Sequence, residues 1–147
     1  MDEQIKKDQS FGVIPVRQDK DDIKFLLVKH KAGHWGFPKG HSKERENEID
    51  CASRELREET GINSFNLKPE IKFIENYTYE QNGEYCDKTV TYFLGLIEGD
   101  PEQRKEFIEE IPEITLLDYE QARTTLTHDK AKKILDDAYR VLQQNKL

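Results

Sequence analysis

An α/β sandwich built on mixed β-strands is the fold class this chain predicts. Three observations carry that expectation. Short runs rich in β-branched and aromatic residues recur, as in Phe25-Leu-Leu-Val28 and Val90-Thr-Tyr-Phe-Leu94. Two longer stretches, 47–60 and 128–143, have helical character. At 147 residues the chain fits a single domain (1–147, core about 11–143), long enough to bury one substantial core.

Taken in order, Phe11-Gly-Val-Ile-Pro-Val-Arg17 and Ile23-Lys-Phe-Leu-Leu-Val-Lys29 read as strands joined by the polar turn Asp19-Lys-Asp-Asp22, a hairpin pattern. Pro15 is expected at an edge or a bulge, since it cannot donate to a ladder. Lys31 to His41 carries three glycines and a proline and is expected to be a loop. The helix over 47–60 ends at Gly61, a suitable left-handed cap followed by apolar Ile62. Ile71–Ile74 and Lys88–Ile97 are expected strands around a polar loop at 80–84, and Glu113–Leu117 a shorter one after an acidic connection. Ala122 falls in a short helix. Over 128–143, Ala131, Ile134, Leu135, Ala138, Val141 and Leu142 follow the i, i+3, i+4, i+7 pattern.

Hydrophobic residues make up 35% of the chain and charged residues 36%, with a net charge of −7. That acidic balance argues against duplex nucleic acid as a partner and leaves a small phosphorylated ligand bridged by a divalent cation easy to accommodate. Cys51 and Cys86 are too few for a disulfide scaffold and lack metal-ligand spacing. The stretch Met1–Ser10 is charged and has no apolar signal region, and no run approaches the roughly 18 apolar residues of a membrane span. A cytoplasmic protein with no membrane partner is the expectation, with a monomer favoured.

The chemistry concentrates between residues 40 and 62: Gly40, five residues, Glu46, seven residues, Arg54-Glu55-Leu56, one residue, Glu58-Glu59, one residue, Gly61-Ile62. At ordinary residue usage such a pattern arises about once in 10⁸ windows, so coincidence is set aside. On a helix, Glu55, Glu58 and Glu59 project within about 100° of one another, while Ile49, Ala52 and Leu56 fall on the adjoining face. Like charges at those spacings destabilise an isolated helix by a few tenths of a kcal/mol per pair, roughly, and bound divalent cations would reverse the sign. Hard oxygen donors in this number suit Mg²⁺, with Mn²⁺ as the alternative, rather than zinc. The bland reading, a solvated acidic face, does not account for the two glycines and Arg54.

This block matches, without gaps, the signature of the Nudix hydrolases, which the chain therefore resembles. The resemblance implies an α/β/α sandwich on a mixed sheet and metal-dependent cleavage of a phosphoanhydride bond. It implies Glu58 and Glu59 as principal metal ligands, Glu55 as a further ligand or a base for water, and the Gly40 carbonyl as an added ligand. Arg54 would hold a glutamate carboxylate in place, and Glu46 would tie the loop to the helix. The metals would neutralise phosphate charge, acidify bound water and orient in-line attack. Glu110, ahead of Glu109, falls where related enzymes carry another glutamate that reaches the metals as base or ligand.

The flanking residues, His34-Trp-Gly-Phe-Pro-Lys-Gly-His41 and Lys88-Thr-Val-Thr-Tyr-Phe-Leu94, are similar to those of asymmetric diadenosine tetraphosphate hydrolases. That subfamily implies cleavage of diadenosine tetraphosphate to ATP and AMP. Alternatives are an RNA 5′-pyrophosphohydrolase, in which glutamine tends to replace Lys39, and a nucleoside triphosphate pyrophosphohydrolase; a non-catalytic nucleotide sensor is disfavoured because no signature acid is lost. Lys39, Lys88 and, more weakly, Lys43 are the candidate phosphate contacts. For base stacking, His34 and Tyr85 are preferred among the available rings, with Trp35 and Tyr92 expected to be packing residues. His41 and His128 are expected to be ordinary polar histidines.

Overall fold

Strand β1 (Lys6–Asp19) forms the middle of the sheet and determines what packs on either side of it. The structure, a computed structural model, describes residues 5–144, so Met1–Gln4 of the charged N-terminal stretch and residues 145–147 lie outside the described part. β1 turns through Lys20 and Asp21 into β2 (Asp22–Lys29), and Lys20 adopts φ 56° at that tight turn. Two-residue strands β3 (Trp35–Gly36) and β4 (Lys39–Gly40) follow. Then come helix α1 (Glu48–Thr60), β5 (Ser64–Gln81) and β6 (Glu84–Glu98). A 3₁₀ turn at Lys105–Phe107 leads to β7 (Glu113–Leu117), α2 (Tyr119–Thr125) and α3 (Asp129–Gln144).

The sheet order is β3-β2-β1-β6-β5, with β4 added to β1 and β7 to β2. β1 and β6 run parallel, and the other pairs are antiparallel, which makes the sheet mixed as expected. Alternation divides each central strand between two cores. Ile14, Val16, Phe25, Leu27, Val90, Tyr92 and Leu94 meet α2 and α3 on one face. Phe11, Val13, Leu26, Val28, Phe93 and Ile97 meet Cys51, Ala52 and Leu56 of α1 on the other. Leu56 is fully buried there, worth about 2 kcal/mol relative to exposure. Among the described residues no helix is long and apolar enough to cross a membrane.

Three local expectations are corrected. Pro15 lies in the central strand rather than at an edge or bulge. Val13 donates its N–H to the Pro38 carbonyl at 3.1 Å, and Pro15 faces the same side two residues on. It falls between the β4 pairing, which ends at Gly12, and the β2 pairing, which begins at Val16, so no ladder bond is lost. The segment 31–41 is not wholly loop, because β3 and β4 pin it to β2 and β1. β5 is far longer than the apolar run 71–74. The register shifts between Lys68 and Lys72, and Pro69 sits inside that irregularity, where its missing N–H is tolerated. The polar segment around 80–84 shrinks to an Asn82-Gly83 turn, both residues having positive φ, with Gln81 paired to Glu84.

Candidate active site

Helix α1 forms where it does because both ends are locally satisfied. The Asn47 side chain accepts from the Asp50 N–H at 2.8 Å, and Gly61 closes the helix in the left-handed region at φ 75° while donating to the Arg57 carbonyl at 3.0 Å. With its apolar face committed to β1, the adjoining face carries Glu55, Glu58 and Glu59 to an open cleft of about 750 Å³. Lys39, Gly40, Lys43, Arg54 and Glu110 line the same cleft, so most of the residues singled out from sequence converge there.

Arg54 is the hub. Its Nε and Nη2 donate to the two Glu46 oxygens at 2.8 and 3.0 Å, and Nη2 also reaches the His41 carbonyl at 2.9 Å. Its Nη1 donates to Glu55 and to Glu58, each at 3.0 Å. The planar fork thus ties the loop before the helix to two carboxylates on it. These bonds, Glu46 first, push the Arg54 guanidinium further above its ordinary value, and Arg54 holds the Glu46 carboxyl at about 2. Glu46 also accepts from the Lys43 N–H at 3.0 Å, which fits its expected role as a loop tether.

Glu59 is only 5% exposed and accepts from the Lys39 N–H at 3.0 Å. Burial raises its carboxyl well above the usual range, and hydrogen bonding with the adjacent Glu55 raises it further. Glu55 is raised too, first by burial. A Cβ at Gly40 would overlap the Glu55 carboxyl, so the glycine makes room for that side chain against the backbone. Among the described residues no three His, Cys, Asp or Glu side chains are already gathered about one metal position, since Glu55 and Glu58 turn toward Arg54. The donor set nevertheless fits a hard divalent cation: three carboxylates and a backbone carbonyl border one open cleft, and hydrogen bonding between Glu55 and Glu59 brings two of the acids together.

A second cavity, about 400 Å³, adjoins the cleft and shares His30 and Lys39 with it. Aromatic surfaces of Trp35, Phe37, Tyr77 and Tyr92 dominate its lining. His34 stacks on His30 with centroids 4.6 Å apart and 18° between planes, and His128 lies 5.3 Å beyond. Burial, then the charge of His34 across the stack, lowers His30 to about 4. Burial also lowers His34 and Lys39, with Lys88 adding to the effect on Lys39. The loop wall is fastened by Trp35, whose N–H donates to Thr127 Oγ1 at 2.8 Å.

Several residues land differently from expectation. Lys88 is 4% exposed, and its ammonium donates to Asp8 at 3.0 Å and to the Ser10 hydroxyl, with His41 Nε2 at 3.2 Å. Burial opposes the Asp8 charge, but the Lys88 and His41 contacts override it and lower the carboxyl. Tyr85 is 50% exposed near the β5–β6 turn and lines neither cavity, whereas Tyr77, not preferred from sequence, lines the aromatic one. Trp35 and Tyr92 serve both as packing and as cavity wall. His41 and His128 border the two cavities rather than standing apart from them. Sequence reasoning passed over Asp8, His30 and Glu75. Glu75 carries a signal in hindsight: Ile71, Phe73, Glu75, Tyr77 and Tyr79 share one strand face, and it is the only acid in that row.

Fold and site together define a Nudix-type α/β/α sandwich. A family model described as NUDIX domain matches residues 6–138, and the chain belongs to that family. Over 82 residues it is 39% identical to a mouse protein named bis(5′-nucleosyl)-tetraphosphatase [asymmetrical], covering 53% of each. The chain thus spans about half the length of the first curated relatives it matches. It is 32% identical over 126 residues to a putative mRNA-decapping protein of Acanthamoeba polyphaga mimivirus, covering 80% of this chain and 34% of that one. The crystal structure of a C. elegans Ap4A hydrolase binary complex superposes with a TM-score of 0.78 at 24% identity, covering 93% of this chain and 98% of that one, which shows the shared fold.

Proposed function

We propose that this chain hydrolyses a phosphoanhydride bond in dinucleoside polyphosphates, splitting diadenosine tetraphosphate with water into ATP and AMP. The observation that carries the reading is the adjacency of the two cavities. His30 and Lys39 line both the carboxylate cleft and the aromatic cavity, so a nucleotide stacked in one would lead its phosphates into the other. The curated relatives named bis(5′-nucleosyl)-tetraphosphatase support that substrate class.

In this reading Glu55, Glu58, Glu59 and the Gly40 carbonyl hold Mg²⁺ or Mn²⁺. When bound, the cation would neutralise phosphate charge and supply Lewis acidity. Arg54 positions Glu55 and Glu58 and touches no substrate. Lys39, half enclosed between the cavities, meets the polyphosphate, with Lys43 at the rim. Lys88 contributes by displacing its contact with Asp8. Glu110, exposed on the opposite lip of the cleft, is the candidate base or additional ligand. The base stacks against His34, with Tyr77 taking the place first assigned to Tyr85.

A second reading is cleavage at a capped or triphosphorylated RNA end, favoured by the match to the viral decapping protein over most of this chain. A product-resolved assay with Mg²⁺ separates the readings. Equal ATP and AMP from diadenosine tetraphosphate is expected. Two ADP, or turnover confined to capped or triphosphorylated RNA, would overturn the dinucleotide assignment.

A further inference from the structure

The aromatic cavity contains one feature that stacking does not require. Glu75 lies on β5 between Phe73 and Tyr77, on the face turned toward α3, and is partly buried. Its carboxylate acts through space on Lys39, Tyr77 and Tyr92. Among the described residues its side chain makes no hydrogen bond and no ion pair within 4 Å. The Tyr92 hydroxyl, on the neighbouring strand β6 where Tyr92 pairs with Phe73 two residues from Glu75, likewise has no hydrogen-bond partner among them. An unpartnered carboxylate and an unpartnered phenol in an aromatic-walled cavity leave hydrogen-bonding capacity for a ligand to satisfy.

We propose that Glu75 makes this cavity selective for guanine, its two oxygens accepting from N1–H and the 2-amino group while Tyr92 donates to O6. The proposal rests on reading the cavity as the nucleobase site, and it makes a guanine-bearing dinucleoside polyphosphate a better ligand than the diadenosine compound without changing the bond that is cleaved. The chemistry follows from the two purine edges. Guanine presents two adjacent donors beside an acceptor, which complements a carboxylate beside a hydroxyl. Adenine presents one donor beside the N1 lone pair, so one carboxylate oxygen would bond and the other would face a lone pair. A charged acceptor strengthens the matched pair and penalises the mismatched one, because most of the surface around it is apolar. Lys39 lies near Glu75 without pairing with it, so it does not occupy the carboxylate oxygens.

The test uses the full chain and its single tryptophan, Trp35, which lines the cavity and reports occupancy by fluorescence. GMP, IMP and AMP are titrated without divalent metal. GMP is expected to bind roughly tenfold or more tighter than AMP, with IMP, which lacks the 2-amino group, in between. Glu75→Gln is nearly isosteric and has no intramolecular bond to lose. It should weaken GMP and tighten AMP, because an amide offers the donor and acceptor that adenine needs. Equal affinity for GMP and AMP in the unaltered protein, or equal weakening of both in Glu75→Gln, would overturn the proposal. The turnover assay is separate. If no dinucleotide is hydrolysed while GMP remains preferred, the hydrolase reading fails and the base preference stands.

Discussion

Arg54 and Glu46, eight residues apart, meet side-on, with two parallel hydrogen bonds of 2.8 and 3.0 Å closing the loop onto the helix. The same guanidinium supports Glu55 and Glu58, so a lysine, which offers a compact point charge, cannot replace it. Arg54→Lys is expected to lower turnover about 10–100-fold with little change in substrate affinity. The pair also sets an acid limb. The folded Glu46 carboxyl is held at about 2 against an ordinary 4.5, so its stabilisation is full above 4.5 and is lost as pH falls toward 2. Urea unfolding of Glu46→Gln across that window should show a flatter acid limb than the parent; an identical limb would show that Arg54 is not its source.

Glu58 is partly exposed, and among the described residues its side chain bonds only to Arg54 Nη1. Glu58→Gln should therefore leave the thermal midpoint nearly unchanged while cutting Mg²⁺-dependent turnover by roughly 10²-fold or more. Survival of turnover would show that Glu58 does not hold the metal.

Gly40 and Gly61 separate chemistry from stability. A methyl at Gly40 would meet the end of the flexible Glu55 side chain, so Gly40→Ala should displace that carboxyl and impair activity at modest cost in stability. A methyl at Gly61 would meet the Glu102 carbonyl on a backbone at φ 75°, and Gly61→Ala should cost at least ~1 kcal/mol. Denaturation midpoints and initial rates on both variants check the contrast.

Removing one member of the Asp8–Lys88 pair should be asymmetric. Asp8→Ala strands a buried ammonium and is expected to cost about 3 kcal/mol, whereas Lys88→Met replaces it with an apolar side chain of similar length and should cost less. Chemical denaturation that ranked Lys88→Met as the worse variant would contradict the pairing.

His30 predicts a second pH effect. Burial favours its neutral form and lowers it from 6.5 to about 4, so the unfolded chain takes up the proton first as pH falls. Stability is full above 6.5 and declines between 6.5 and 4, by at most ~1.4 kcal/mol per pH unit. His30→Gln keeps a donor for the Phe37 carbonyl and should make the decline shallower in stability measured at pH 7.5, 5.5 and 4.5.

Helix α1 was readable to within a residue because its determinants are local. The Asn47 and Gly61 caps, the apolar face of Ala52 and Leu56, and the carboxylate row all follow from spacing along one helix. β7 was equally readable, since Glu113–Leu117 is a compact apolar run between breakers. β5 was not. Its exposed alternating residues resemble loop composition, and its pairing with β6 is what makes it a strand.

The sequence by itself therefore determined the family, the mixed α/β class and the set of acids that Gly40, Arg54 and their neighbours organise. Tertiary structure decided which groups those acids meet. Register between β1 and β6 sets Asp8 opposite Lys88, eighty residues away, so the lysine that spacing offers to a phosphate already holds an ion pair. The pleat of β5 turns Tyr77 and Glu75 into the cavity, while Tyr85 at the turn stays in solvent. The physical reason is the range of the interactions. Caps and helix faces are set within a few residues, whereas the partner of a strand side chain is set by pairing between distant segments, which single-sequence spacing does not encode.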